Sequence, residues 1–320
     1  MRFDRWAAVL ALAFPLLAQA PLRTTVRLVI APTTVVDPQG RYVNGLTESD
    51  FRVTDNGQRR RDVHVDYGYI PMSLVVAVEC SFPSAAVVNK VHKIGSMIQP
   101  LVMGERGQAA VVSFDGQVTV RQDFTNDIDK LDMALQAIQP GDYGARMIDA
   151  VAESVRLLAA QPPERRRVLL LISETRDRGS RTKLAAAVTL AQQDNVAIYT
   201  LAYSPYTTAF TAKAGTTPPP DHLNTDPFVF LFEMAHMAKK NAAEAFARYT
   251  GGERLSFTRQ KALEQAVARI GEELHSQYLV SFAAPPDAGA GFHAITVSVP
   301  GVPGSKVRTR AGYWMAEPQP

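Results

Sequence analysis

The stretch 74-LVVAVECSFPSAA-86 decides the fold class of this 320-residue chain. Leu74 to Val78 is a continuous apolar run with β-branched residues, which is typical of a strand covered on both faces of a sheet. A polar loop follows, and the next segment has the apolar spacing of a helix, with Val87, Val91, Ile94 and Ile98 on one face. In open α/β sheets, the loop between such a strand and helix is the usual place for a ligand site.

The same alternation of strand and helix continues through the middle of the chain. The further elements are strands predicted at 109–114, 168–173 and 196–203, and helices whose apolar spacing begins at Ile128, Ile148, Leu184 and Leu263. A tight turn at 115-DG-116 adds one antiparallel strand. This order predicts the α/β class, with a doubly wound, mostly parallel sheet that has helices on both faces.

Both ends of the chain have β character instead. Residues 21–70 contain short runs of alternating polarity and the turn 55-DNG-57, which predicts a hairpin that continues into Val63, Val65 and Tyr67. Residues 277–320 contain three further strand patterns, at 277-QYLVSF-282, 292-FHAITVSV-299 and 306-KVRTRAGYW-314. We therefore expect a β-rich flanking domain formed from both terminal segments, beside a central domain at 71–276.

Residues 204–238 interrupt the central domain with an insertion. It contains the turn-rich stretch 216-TTPPP-220 and then the apolar patch 228-FVFLFEMAHM-237. Because it follows the strand at 196–203, it should leave the sheet at the same edge as the loop after Glu79. The patch either packs as a lid on the domain or offers a partner an apolar surface, with Phe228, Phe230 and Phe232 as candidate contacts.

The first 20 residues have the order of a secretory signal peptide. Arg2 and Arg5 precede an apolar run from Trp6 to Leu17, and Ala18-Gln19-Ala20 offers a cleavage site. This predicts export to the periplasm, the cell envelope or the medium. No other apolar stretch approaches the roughly 20 residues of a membrane span. The single cysteine, Cys80, excludes an intramolecular disulfide.

Charge and motifs exclude several function classes. The net charge is +3, from 34 basic and 31 acidic residues, and the only tight basic runs are 59–61 and 165–167, so a nucleic-acid partner is not expected. The six histidines lack metalloprotease spacing, and there is no nucleophile elbow, phosphate loop or dinucleotide-binding glycine motif. Cys80 stands where a helix start can activate a thiol, but a packing role is the simpler interpretation. These observations favour a protein that is not an enzyme.

Four short segments outside the central domain are more specific than the order of strands and helices: 45-GLTESDF-51, 55-DNGQ-58, 277-QYLVSF-282 and 310-RAGYW-314. With the order of strands and helices between them, the chain resembles the exported von Willebrand factor type A-related family described in Acidobacteria and their relatives. The resemblance implies a domain that binds protein partners. In such domains the binding site is commonly a divalent metal at the C-terminal edge of the sheet, the metal-ion-dependent adhesion site.

This chain departs from the metal-binding pattern that the resemblance implies. Glu79 stands for the first Asp, Ser81 for the first Ser, Pro83 for the second Ser, Ala145 for the Thr and Glu174 for the last Asp. Pro83 and Ala145 have no side-chain oxygen, so the site is degenerate and we expect no metal and no other cofactor. An alternative keeps an atypical Mg²⁺ or Ca²⁺ site at Glu79, Ser81 and Glu174. The oxygens of Ser84, Asp142 and Asp177 are additional candidate ligands for that alternative.

Without a metal, two carboxylates at one sheet edge would repel each other unless an arginine lay between them. Arg146 is the candidate for that arginine, and the competing interpretation makes it a solvated helix residue. The two glutamates could instead cap helices or pair with Arg146 and Arg176. The sequence thus predicts a protein-binding module without metal, with candidate contacts at Glu79, Ser81, Arg146, Glu174 and the insertion. A metal-dependent adhesion module is the alternative, and an envelope enzyme is the third hypothesis.

Overall fold

The computed structural model describes residues 28–68, 70–174, 176–203, 234–237, 241–285 and 288–315. The predicted signal peptide and nearly all of the insertion lie outside the described residues. So do Phe228, Phe230 and Phe232, the candidate contacts of its apolar patch.

The described strands form three sheets. In chain order they are β1 (Leu28–Val36), β2 (Arg52–Asp55), β3 (Gln58–Arg59), β4 (His64–Asp66), β5 (Met72–Glu79), β6 (Gln108–Phe114), β7 (Val118–Thr125), β8 (Arg166–Ser173), β9 (Val196–Tyr203), β10 (Arg254–Phe257), β11 (Tyr278–Ala283), β12 (Gly291–Ser298), β13 (Lys306–Arg308) and β14 (Gly312–Met315).

The described helices all lie in the central domain. They are α1 (Ala85–Val91), α2 (Gly95–Ile98), α3 (Ile128–Gln136), α4 (Met147–Ala159), α5 (Leu184–Gln193), α6 (Ala242–Thr250) and α7 (Gln260–Ser276). There are also short 3-10 turns at Glu48–Asp50 and Phe82–Ser84, a π-helical turn at Gln99–Met103 and helical residues at 234–237.

The central sheet has six strands in the order β10-β9-β8-β5-β6-β7, all parallel except the edge strand β7. Helices α1, α2, α3 and α7 cover one face, and α4, α5 and α6 cover the other. Along β5, Leu74, Val76 and Val78 belong to the first core, whereas Val75 and Ala77 belong to the second. This double burial explains the continuous apolar run, and the doubly wound α/β prediction is confirmed.

The flanking strands form two four-stranded antiparallel sheets that enclose a third core. Their orders are β13-β1-β11-β4 and β14-β12-β2-β3, so each sheet contains strands from both ends of the chain. The predicted turn at 55–57 joins β2 to β3, with positive φ angles at Asn56 and Gly57. The expected continuation of that hairpin is wrong, because β4 pairs with β11, where Val65 lies opposite Val280.

Apolar contacts join the flanking sheets to the central domain. Phe292 and Ala311 are buried in the core formed by α4, α5 and α6, and Trp314 packs against it. The ring of Phe292 lies edge-on to that of Tyr249, with 6.2 Å between the centroids. Asn195, in the left-handed backbone region after α5, accepts hydrogen bonds through Oδ1 from the backbone N of Ile30 in β1 and from the side chain of Arg310.

Buried charged residues also connect the flanking sheets to the central domain. Glu273 of α7 accepts a hydrogen bond of 2.6 Å from the hydroxyl of Tyr199 and pairs with Arg308 of β13. The neighbouring Glu253 pairs with Arg269 at 2.7 Å. Both glutamates are almost fully buried, and burial raises the pKa of Glu253 above its ordinary value, although Arg308 opposes this shift.

Candidate functional site

The candidate site lies at the C-terminal edge of the central sheet. β5 and β8 are parallel neighbours, with Val78 opposite Ile172, so the residues that follow the two strands meet. The loop before α4 reaches the same place through two backbone hydrogen bonds of 2.7 Å. In these, Gly141 N donates to Cys80 O, and Phe82 N donates to Asp142 O.

The carboxylate of Glu79 lies at the centre of this edge, fully buried. It accepts five hydrogen bonds, three at Oε1 and two at Oε2. The donors are Ser81 Oγ (2.6 Å), Ser84 Oγ (2.9 Å) and Arg178 Nη2 (2.9 Å) at Oε1, and Ser173 Oγ (2.7 Å) and Glu174 N (2.8 Å) at Oε2.

Arg178 lies between Glu79 and Glu174. Its Nη2 donates to Glu79 Oε1 at 2.9 Å and to Ser81 Oγ at 3.0 Å. Its Nη1 donates to Glu174 Oε2 at 3.1 Å. One guanidinium therefore separates and compensates both carboxylates.

The expectation that Arg146 supplies this cation is corrected by the structure. Arg146 is the residue before the first turn of α4, and its backbone N donates to Asp115 O at 2.8 Å. Arg178 instead is fixed by a pair of backbone hydrogen bonds with Ala145, of 2.9 and 2.7 Å. No sequence signal separates Arg178 from its neighbours Arg146 and Arg176, since the pairing with Ala145 is a tertiary contact.

The two positions without an oxygen ligand have plain structural roles. Pro83 lies in the first turn of the 3-10 segment, where a missing N–H costs nothing, and Ala145 is buried against the loop of Arg178. Ser84, one residue after Pro83, turns its hydroxyl to Glu79.

The residues present do not fit a divalent cation. A carboxylate has about four lone-pair positions, and Glu79 already receives five donors. Mg²⁺ and Ca²⁺ need free oxygen ligands at short range, and the guanidinium of Arg178 already contacts the oxygens of Glu79, Ser81 and Glu174. Across the described ranges, no group of three or more His, Cys, Asp or Glu side chains is placed to hold a metal.

Asp177, the residue before Arg178, faces away from the two glutamates. Its Oδ1 accepts from Ile148 N at 2.9 Å and from Ser180 Oγ at 2.6 Å. In the opposite direction, Asp149 of α4 accepts a hydrogen bond of 2.9 Å from Thr182 N in the loop after β8. Burial opposes ionisation of Asp149, but hydrogen bonds from Thr182 and its neighbour outweigh it and lower the pKa of this carboxyl. These bonds fasten the loop after β8 to the start of α4.

Asp142 similarly connects two loops, the turn after β6 and the loop before α4. Its Oδ1 accepts hydrogen bonds of 2.7 Å from Gly116 N and from Gly144 N. The two glycines are so close that a Cβ atom on Gly144 would lie 2.5 Å from Gly116 Cα. The turn after β6 and the loop before α4 are therefore held together, and Asp142 is occupied as a backbone acceptor.

Two exposed aromatic rings lie on these loops, and they were not among the predicted site residues. Phe82 is 55% exposed and Tyr143 71% exposed, and their ring centroids are 5.0 Å apart. Single exposed aromatic residues give no periodic signal, and only the contact between the two loops brings this pair together.

Burial divides the residues of the site into two groups, and Arg178, which was not a predicted contact, belongs to the more exposed one. Glu79 and Ser81 are fully buried, so direct contact with a partner, as the sequence suggested, is excluded in this conformation. The side chains of Arg178 and Glu174 are 32% and 21% exposed. Cys80 is also buried, and burial raises the pKa of its thiol to about 11, which is the behaviour of a packing residue.

Similarity to known proteins is found among solved structures. No protein-family profile and no curated protein matches the sequence. Among solved structures, a von Willebrand factor type A protein from Catenulispora acidiphila is 9% identical, with 90% of this chain and 75% of that chain covered and a TM-score of 0.46.

Two other solved structures are similar at 13% identity. An aerotolerance-related membrane protein from Bacteroides fragilis matches with 63% of this chain and 98% of that chain covered, at a TM-score of 0.44. Proximal thread matrix protein 1 from the mussel byssus, with a zinc-occupied MIDAS motif, matches with 70% and 50% covered, at a TM-score of 0.45. In the part of this chain that the structure describes, no helix is long and apolar enough to cross a membrane.

Proposed function

We propose that this protein is an exported, non-enzymatic module that binds a protein partner through the C-terminal edge of its central sheet, without a metal ion. The observation that supports this most directly is the exposed pair of Phe82 and Tyr143 on loops fixed by backbone hydrogen bonds. The order of Arg2, Arg5 and the apolar run after them supports export.

An exposed aromatic pair on rigid loops is suited to protein recognition. Aromatic side chains bury a large area for the loss of few rotatable bonds, and they are enriched among the residues that dominate binding energy. The bonds of Asp142 and of the Cys80 and Phe82 backbones fix the loops before a partner arrives. Ordering of these loops therefore adds little to the cost of association.

The polar chemistry beneath the pair favours binding over catalysis. The hydroxyls of Ser81, Ser84 and Ser173 all donate to Glu79, and in the described ranges no hydrogen bond links them to a histidine base. The contacts of Arg178 leave the carboxylates without a free position for a cation. Glu79 and Ser81 would thus act by holding the loops, while the aromatic rings make the contact.

The test is affinity capture from envelope extracts followed by affinity measurement with the identified partner. Phe82→Ser and Tyr143→Ser should each weaken binding at least roughly tenfold, because interface aromatics are frequent hot spots. Met133→Ser is the matched control, since Met133 is an exposed apolar residue on α3, with 70% exposure. EDTA should leave the affinity unchanged.

Two results would contradict the proposal. If the aromatic variants bind the partner with the same affinity as the wild type, the interface does not include Phe82 and Tyr143. Loss of binding in EDTA, restored by Mg²⁺, would show that the partner needs a metal and that the alternative adhesion module is correct.

A further inference from the structure

Arg178 has the surroundings of a bound cation. Three oxygen atoms from two loops converge on its terminal nitrogens. They are Glu79 Oε1 at 2.9 Å, Ser81 Oγ at 3.0 Å and Glu174 Oε2 at 3.1 Å. We infer that these oxygens form a cation site whose resident cation is the guanidinium of Arg178, and that loss of this side chain converts it into a site for a hard divalent cation.

Charge gives the first reason. The two carboxylates and one guanidinium leave a small net negative charge, and Glu79 is fully buried. Removing the arginine would leave both carboxylates without their cation, and an unpaired buried charge is strongly unfavourable. Any small cation that enters the vacated position would relieve this cost.

Ligand chemistry gives the second reason. Carboxylate and hydroxyl oxygens are the ligands that Mg²⁺ and Mn²⁺ prefer. Loss of Arg178 frees a lone pair on Glu79 Oε1, on Ser81 Oγ and on Glu174 Oε2 at the same point. Ser84 and Ser173 still hold the carboxylate of Glu79 in place.

An internal arginine differs from a metal in one functional respect. It stays charged at every physiological pH and cannot be removed by a chelator. The edge of the sheet would therefore keep its shape at any concentration of divalent ions. This inference concerns the resident cation alone and stands whether or not a partner binds to Phe82 and Tyr143.

Thermal unfolding in Mn²⁺, Mg²⁺ or choline chloride of equal ionic strength tests the inference. Arg178→Ala should lower the Tm, and saturating Mn²⁺ should raise the Tm of this variant by roughly 5 °C. The wild type should show no such rise. Arg176→Ala, which removes an exposed arginine two residues away, is the matched control and should behave as the wild type.

Two further variants separate a cation site from a general structural defect. Arg178→Lys keeps a positive charge and should not respond to Mn²⁺. The double variant Arg178→Ala, Glu174→Gln should lose the Mn²⁺ response, because one carboxylate ligand is gone. If Arg178→Ala does not fold alone, refolding in Mn²⁺ against choline chloride gives the same readout. A saturable Mn²⁺ shift in the wild type, or no Mn²⁺ effect on the stability or refolding of Arg178→Ala, overturns the inference.

Discussion

Glu79 shows how a fully buried carboxylate can be satisfied within a folded chain. Its carboxylate, at the end of β5, accepts hydrogen bonds from five donors inside the chain. A charge this deep is tolerated only because Arg178 and the three serines compensate it. The residue therefore holds the strand ends and the loops of the edge in one arrangement.

Glu79→Gln should be strongly destabilising. The side-chain amide nitrogen of the new glutamine would face hydrogen-bond donors instead of receiving their hydrogen bonds, and Arg178 would lose the buried carboxylate with which it pairs. The free energy of unfolding should therefore fall by about 3–5 kcal/mol. Urea denaturation measures this change. Glu174→Gln is the matched control, because it contacts the same guanidinium from a partly exposed position and should cost about 1 kcal/mol or less. Equal losses in the two variants would refute the special role of Glu79.

The site was only partly predictable from the sequence at this scale. A buried strand that ends in a polar loop was enough to locate Glu79 and Ser81, because parallel strands end at a common edge. Arg178 was missed because its contact with Glu79 spans 99 positions and depends on the backbone pairing with Ala145. The pair of Phe82 and Tyr143 likewise exists only in the folded chain.

Among the secondary-structure elements, long periodic segments were predictable and short ones were not. The apolar spacing of α7 repeats over several turns, and the apolar run of β8 is long enough to indicate a strand buried on both faces. β10 has only four residues, too few for a pattern, and it forms because β9 offers it an edge. The pairing of β4 with β11 was also not predicted, because the local sequence of β4 does not determine which distant strand it pairs with.

Helix α7 supplies a prediction at the scale of an element. Ala in place of Gly usually stabilises a helix by about 1 kcal/mol, but a Cβ at Gly271 would lie 1.9 Å from the backbone oxygen of Leu101 in the π-helical turn. Gly271→Ala should therefore lower the free energy of unfolding by roughly 1–3 kcal/mol. Thermal unfolding checks the sign.

The control for that prediction is Gln265→Ala on the exposed side of the same helix. It should change stability by no more than about 0.5 kcal/mol. A gain of stability in Gly271→Ala would mean that α7 is free to move away from the π-helical turn, and that their close contact does not constrain the helix.

For the whole molecule, the two terminal segments and the central domain form a connected structure. Trp314 and Phe292 extend the apolar core of one face, while Arg308 brings a charge from β13 to Glu273 of α7. Binary patterning predicts apolar contacts between such units but not a buried ionic network, because charged residues normally mark exposed surface. Because burial raises the pKa of Glu253 in this network, we expect the stability of the junction between the flanking sheets and the central domain to depend on pH.

Glu253 tests that sensitivity. Burial raises the pKa of its carboxyl in the folded protein above the ordinary value of 4.5, against the opposing effect of Arg308 and with the support of Glu273. Its contribution to stability is thus fully present below about pH 4.5 and is lost as the pH rises through the folded-state pKa. Glu253→Gln cannot ionise and keeps an acceptor for Arg269, so its stability relative to the wild type should increase as the pH rises from 4.5 to 7. Urea denaturation at several pH values in this range measures the free energy of unfolding of both proteins, and the exposed Glu272→Gln is the control. If the stability of Glu253→Gln relative to the wild type stays constant or falls as the pH rises, the junction does not favour the protonated carboxyl.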